Sequence, residues 1–280
     1  GADLSAPGML VGRILRSPHA HARIKSIDTS KAEALPGVKS VVTAADMPVV
    51  SWEPDVMGYV PANYGHISEN TIARDKVLYD GHAIAAVAAT SARIAEKALG
   101  LIKVEYEILP HVLDVSEAMR PDAPILHERL RTEGLGKKTR KASNTALRVE
   151  YSIGDVDAGF AKADVIVERT FRTKPVHQGY IEPQAVLASA SHDGHVDIWC
   201  STQSQFVVRT VCSKILGMKT SQIRVYPTEI GGGFGGKIIP LIEPVAALLS
   251  RKSGRPVKMV PSREEVFRAM GNAPGSHSKV

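Results

Sequence analysis

Gly231-Gly232-Gly233-Phe234-Gly235-Gly236-Lys237 is the stretch on which the reading of this chain turns. Five glycines in six positions are costly in conformational entropy unless the backbone must bend sharply or approach a ligand closely. A structural turn alone seldom asks for so many.

Two phosphate-binding patterns fit this stretch incompletely. GxxxxGK is met by Gly231, Gly236 and Lys237, but Ile238 follows where a phosphate loop needs a Ser or Thr hydroxyl for magnesium. GxGxxG is met by Gly231, Gly233 and Gly236. In a dinucleotide fold, however, the helix begins inside the motif, whereas here residues 237–242 intervene before Pro244 opens one. The acidic residue expected about 20 positions on is also missing, since that region reads Arg255-Pro256-Val257-Lys258. Arg263 leaves an NADP-linked dehydrogenase domain as an alternative.

Upstream of the loop, residues 223–226 read as a strand. Residues 204–216 read as a helix closed by Gly217, and downstream 243–251 as a helix with Pro244 in its first turn and Gly254 past its end. Residues 257–260 return as a strand. Alternating or β-branched runs at 147–153, 165–172, 185–190 and 195–199 add further strands. The first half mixes strands at 9–14, 22–27, 38–43, 84–88 and 102–106 with a helical turn at 32–35 and an alanine-rich helix at 91–100, interrupted by a Pro-, Gly-, Asn- and Tyr-rich loop over 52–68. The class is α+β. Pro110, Pro121, Pro124 and the basic stretch Lys137, Lys138, Arg140 and Lys141 break the pattern, which places a domain boundary near residues 120–145.

Composition narrows the function. The 280 residues, 44% hydrophobic, suffice for one or two domains. The cationic excess, 35 Lys and Arg against 29 Asp and Glu, is scattered apart from the basic stretch, which reads as a solvated linker; no nucleic-acid partner is implied. Cys200 and Cys212 form no CxxC and have no paired histidines, so an iron–sulfur cluster or zinc site cannot be built here, and the two thiols read as buried small hydrophobes. No apolar run approaches the ~20 residues of a membrane span and no signal peptide opens the chain, so the expectation is a cytoplasmic protein. Both ends read as cuts within a longer protein.

Beside these readings stands a resemblance. The glycine run, with Ser201-Thr202-Gln203 before it, resembles the molybdopterin-binding region of the xanthine dehydrogenase and aldehyde oxidase family. Tyr180-Ile181-Glu182-Pro183, Arg16-Ser17-Pro18-His19-Ala20 and Gly254-Arg255-Pro256-Val257 resemble other family segments in the same order. The resemblance implies an α/β hammerhead-like domain over 1–130 and the first part of a mixed-sheet molybdopterin-binding domain over 131–280. It also implies a molybdenum–molybdopterin cofactor, often the cytosine dinucleotide form in bacteria, and oxidation of an aldehyde or N-heterocyclic C–H bond with water as the oxygen source. Electrons would leave through [2Fe-2S] clusters, usually to FAD, on partner chains or domains.

By resemblance, Gln203 and Phe234 approach molybdenum without ligating it, Gln203 donating to an oxo group, while Gly232, Gly233, Gly235 and Gly236 let backbone approach the cofactor. Gln203 by itself would read as a helix cap, and Ser201 and Thr202 as groups serving the helix start. Glu182 reads as a turn residue rather than a general base. His177 and Gln178 read as channel-lining residues, His19 and His21 as turn packing. The family's catalytic glutamate lies C-terminal to residue 280, so no catalytic residue is expected in this chain, and the remaining molybdopterin-domain segment would complete the site. Purine-oxidising members carry Glu where this chain has Ile238. A catalytically silent scaffold of the same fold is the other alternative, and Gln203 together with the loop argues against it.

Overall fold

The computed structural model describes residues 1–58, 60–134 and 139–280; Lys137 and Lys138 of the basic stretch lie outside the described residues. The chain divides into two compact units, Gly1–Leu109 with His177–Asn272, and Pro110–Val176 with Ala273–Val280. Strands β1 (Leu10–Arg16), β2 (Ala22–Asp28), β3 (Val38–Thr43), β4 (Asp55–Met57), β5 (Val60–Ala62), β6 (Lys76–Val77), β7 (Ala83–Ala89) and β8 (Lys103–Ile108) belong to the first unit, β9 (Thr170–Thr173) to the second. The first unit resumes with β10 (Val186–Ala190), β11 (Val196–Cys200), β12 (Ile223–Pro227) and β13 (Val257–Met259), and β14 (Ser276–Lys279) returns to the second. The helices are α1 (Ser30–Glu33), α2 (Tyr64–Thr71), α3 (Ala92–Leu99), α4 (Val115–Ala118), α5 (Val156–Lys162), α6 (Gln205–Leu216), α7 (Glu243–Ser253) and α8 (Arg263–Ala269).

The first unit is built on a seven-stranded mixed sheet in the order β12-β11-β10-β13-β1-β7-β3. One sheet thus collects strands from both sides of the 120–145 stretch, a pairing that periodicity within single segments cannot reveal. Alternation along β1 explains the two faces. Leu10 and Ile14 join the large core with Val186, Ile198, Val211, Ile215 and Leu249, while Leu15 packs with Val41, Ala85, Val87 and Ala98 under α3. Gly12 lies between Leu10 and Ile14 because a Cβ there would meet Met259 Cγ at 2.5 Å.

Helix α7 runs beneath the sheet with Val245, Ala246, Ala247 and Leu249 fully buried. Each large apolar side chain so buried contributes roughly 1.5–3 kcal/mol. Pro244 stands in its first turn and Gly254 ends it at φ 65°. Helix α6 ends the same way, at Gly217 with φ 63°. Both ends are where proline and glycine predict them.

Three expectations fail. The 52–68 loop contains β4 and β5 and runs into α2, which Asn63 caps by accepting the N–H of His66 at 2.9 Å. Residues 147–153 form no strand beyond an isolated bridge from Leu147 to Glu133, and of 165–172 only the end is a strand, where Thr170–Thr173 pairs with Ser276–Lys279. Both runs have strand propensity, but a strand needs a pairing partner, and only β9 finds one among the described residues. No helix among the described residues is long and apolar enough to cross a membrane.

Candidate functional site

The sheet register fixes where the loop falls. Val186 of β10 pairs with Cys200 of β11, and Cys200 pairs with Pro227 of β12, so three strands come level at one end. From that end depart residues 180–185, Ser201-Thr202-Gln203 and the glycine loop. Ser201 N donates to Ala185 O at 3.0 Å and Thr228 N to Cys200 O at 2.9 Å, which carries the pairing past the strands. The carboxyl ends of β11 and β12 are the kind of place where sheet proteins hold ligands.

Each glycine has its own reason. A Cβ at Gly233 would stand 2.5 Å from Gln203 Oε1, one at Gly231 2.6 Å from Glu182 Cβ, and one at Gly236 2.9 Å from Tyr180 Cε1. Gly232 and Gly235 have φ of 93° and 89°, in the left-handed region that favours glycine. Nothing lies within 4 Å of a Cβ built at Gly235, so the loop is open on that side. Ligand approach therefore does not explain all the glycines: three are required by packing against the chain's own side chains. Phe234, with φ 51°, is the sole non-glycine residue of positive φ among the described residues, a conformation that costs roughly 1–2 kcal/mol. Its side chain is 73% exposed.

Gln203 is joined to the loop at three points. Its Oε1 accepts the N–H of Gly235 at 3.1 Å and of Lys237 at 3.2 Å, and its own N–H donates to Lys237 O at 2.9 Å. Two backbone donors on Oε1 settle the amide orientation, so the NH2 group faces away from them, and among the described residues it makes no hydrogen bond. Among the described residues no hydrogen bond uses the N–H groups of Gly232, Gly233 or Phe234. Unpaired backbone amides and a side-chain NH2 are donors suited to an oxo or anionic oxygen.

Glu182 closes the loop from behind. Its Oε2 accepts the N–H of Gly231 at 2.7 Å and lies 2.8 Å from Lys237 Nζ, whose side chain is fully buried. Burial pushes the carboxyl up, but the bonds from Lys237 and Gly231 and the Lys237 charge outweigh it and hold Glu182 below the ordinary glutamate value. Removing Glu182 would leave the buried Lys237 ammonium without its charge partner. Lys237 also lies 5.0 Å over the Tyr180 ring. Bound in this way it cannot serve a nucleotide phosphate. Arg263 is equally committed, donating to Tyr180 O at 3.0 Å and to Ile181 O. With α7 starting at Glu243, past the loop, the dinucleotide alternative loses both its helix and its cation.

The other candidates fall into place around Tyr180. His177 packs edge-on against the rings of Tyr180 and Phe267; its Nδ1 accepts Gly179 N–H at 3.0 Å, and burial, with the Arg263 charge, pushes its imidazole down. Gln178 donates to Gly271 O at 2.9 Å, and its buried Oε1 has no partner. Thr202 serves the start of α6, accepting Ser204 N–H at 3.1 Å, and donates to Lys237 O at 3.1 Å; Ser201 instead accepts Ala185 N–H at 3.0 Å. His19 packs against Tyr106, and His21 is buried. Cys200 and Cys212 are buried free thiols, pushed up by burial and by nearby Glu243. The Lys237–Glu182 bond and the Tyr180 platform are not visible in the sequence, since the partners are 55 residues apart.

Comparison with known proteins gives the family. Residues 137–280 match the molybdopterin cofactor-binding domain, and residues 1–110 the a/b hammerhead domain of aldehyde oxidase and xanthine dehydrogenase. The chain is 41% identical over 269 residues to the carbon monoxide dehydrogenase large chain of Afipia carboxidovorans, covering 94% of this chain and 32% of that one. It is 32% identical over 269 residues to the xanthine dehydrogenase molybdenum-binding subunit of Escherichia coli O157:H7, covering 95% and 34%. Quinoline 2-oxidoreductase from Pseudomonas putida 86 superposes with a TM-score of 0.85 at 31% identity, over 99% of this chain and 34% of that one. The chain thus spans about a third of the length of these relatives. It belongs to the xanthine dehydrogenase and aldehyde oxidase family of molybdopterin-binding large subunits, of which it corresponds to the N-terminal part.

Proposed function

We propose that this chain supplies one wall of the molybdopterin site in a molybdenum hydroxylase that oxidises an aldehyde or N-heterocyclic C–H bond with oxygen from water. The observation that carries the reading is the fixed amide of Gln203, whose NH2 faces outward beside the free N–H groups of Gly232, Gly233 and Phe234. A set made only of uncharged donors fits the oxo-rich face of a molybdenum–molybdopterin cofactor. It can satisfy oxygen lone pairs without adding a charge to be buried. The open side at Gly235 is where such a group can approach.

When bound, that cofactor supplies the two-electron redox chemistry and the activated oxygen. The chain's own residues bind and orient it: Gln203 donates from its NH2, the loop amides donate from the backbone, and Phe234 borders the approach. The proton-accepting glutamate, further cofactor contacts, and the [2Fe-2S] clusters and FAD belong to the rest of the assembly, because the chain's two buried thiols cannot hold iron. The hammerhead-like domain over 1–130 and the molybdopterin domain from 131 onward are part of the same reading.

Incubation of the assembled protein with an aldehyde or N-heterocycle, an electron-accepting dye and 18O-labelled water tests the proposal. One labelled oxygen per product molecule is expected. Unlabelled product, or no oxidation by molybdenum-loaded protein, would contradict it.

A further inference from the structure

Gly231 and Lys237, the two ends of the glycine loop, are held by one atom, Glu182 Oε2, at 2.7 Å from the Gly231 amide nitrogen and 2.8 Å from Lys237 Nζ. Glu182 N–H also donates to Gly231 O at 3.3 Å, so the first residue of the loop is gripped on both its polar groups. At the other end, Lys237 holds Gln203: its N–H reaches Gln203 Oε1, and its carbonyl takes both Gln203 N–H and Thr202 Oγ1. The carboxylate is therefore linked to the Gln203 amide through a single intervening residue. Tyr180 backs the arrangement, standing under Lys237 Nζ and against Gly236.

We infer that Glu182 and Lys237 are positioning residues that form a clasp, closing the loop so that Gly235 and Lys237 present their N–H groups to Gln203 Oε1 and thereby aim the Gln203 NH2 outward. The inference rests on the proposed role of Gln203, but the clasp itself is a property of the chain that can be measured without the cofactor. Neither residue touches the reacting atoms. An ion pair suits this work because opening the loop would leave the buried Lys237 ammonium without its charge partner, which favours the closed state. The five glycines make such a clasp necessary, since the loop has little stiffness of its own.

The test uses Glu182→Gln and Lys237→Met in the assembled protein. Glu182→Gln retains an oxygen for the Gly231 N–H while losing the charge, and Lys237→Met retains the apolar stem while losing the ammonium. Amide hydrogen exchange at Gly231, Gly235, Gly236 and Lys237, the loop amides that are hydrogen-bonded, is expected to rise roughly tenfold or more in both variants, with exchange in β10 and β11 unchanged. In molybdenum-loaded protein the molybdenum(V) paramagnetic resonance line shape is expected to change, because the Gln203 donor has moved.

Loop exchange within about twofold of the parent protein, or loop and sheet exchange rising together in both variants, would overturn the clasp. A loosened loop with an unchanged line shape would overturn the positioning role. Absence of molybdenum from the parent protein would instead count against the site's proposed function, leaving the exchange result to decide the clasp.

Discussion

The side-chain carbonyl of Gln203 accepts the N–H of Gly235 at 3.1 Å, which turns the amide's donor end away from the loop. The orientation follows from the backbone, not from a ligand. It makes separate predictions for the two halves of the amide.

Gln203→Ala removes the outward donor and leaves the Gly235 and Lys237 amides without their acceptor. An unmet buried hydrogen bond is worth roughly 1–3 kcal/mol, which corresponds to about a ten- to hundredfold loss of kcat if it falls on the transition state. Gln203→Glu is the sharper variant. It keeps an oxygen for the two loop amides but replaces the NH2 with a second acceptor, so turnover should fall at least as far while hydrogen exchange in the loop stays near the parent value.

The glycines separate by mechanism. Gly233→Ala forces a Cβ into Gln203, at 2.5 Å from Oε1, and should displace the amide and destabilise the loop. Gly235→Ala meets nothing within 4 Å, so its cost is conformational, from φ 89°, at roughly 1–2 kcal/mol. Its methyl group projects into the open side, and molybdenum content should fall with little change in melting temperature beyond that strain. Metal analysis and thermal melts of the two variants check the contrast.

Glu243, at the start of α7, is fully buried, and burial pushes its carboxyl up although Oε2 accepts the N–H groups of Leu241 at 3.0 Å and Ile242 at 3.2 Å. A carboxyl raised in the folded state binds its proton more tightly than the unfolded chain does. Its contribution is therefore complete below the ordinary glutamate value and is lost as pH rises through the raised one. Glu243→Gln should flatten the dependence of melting temperature on pH above that ordinary value, its amide oxygen keeping the two backbone bonds. A variant with the same pH slope as the parent would show that Glu243 does not cause it.

Much of this was legible in the sequence where local chemistry decides structure. Gly217, Pro244 and Gly254 mark helix ends because only their backbone conformations fit there. Helix α2 was hidden by the Pro-, Gly- and Tyr-rich composition before it, and the run at 147–153 carried strand propensity but among the described residues pairs only at an isolated bridge from Leu147 to Glu133. At the site, the glycine run announced a close approach, but the three glycines that yield to Glu182, Gln203 and Tyr180 could not be separated from Gly235 without coordinates. Gln203 stood out only by resemblance, since a glutamine before a helix has many uses.

Ile238 follows Lys237 and is partly exposed. An aliphatic side chain there cannot pair with the ring nitrogens of a purine, and leaving such groups unpaired costs several kcal/mol, on the order of 2–7. The complete enzyme should prefer an aldehyde or a simpler aromatic heterocycle to xanthine, as kcat/KM. A kcat/KM for xanthine above all the others would leave Ile238 as a residue that packs behind the loop.

In the proposed function, Gln203 and the glycine loop form one side of a molybdopterin site whose other side lies in the rest of the assembly. Molybdenum content, measured by elemental analysis of the purified assembly and of the isolated 280-residue chain, tests this most directly. Near-stoichiometric molybdenum is expected in the assembly and little in the chain alone. An active assembly without molybdenum, or stoichiometric molybdenum in the isolated chain, would contradict it.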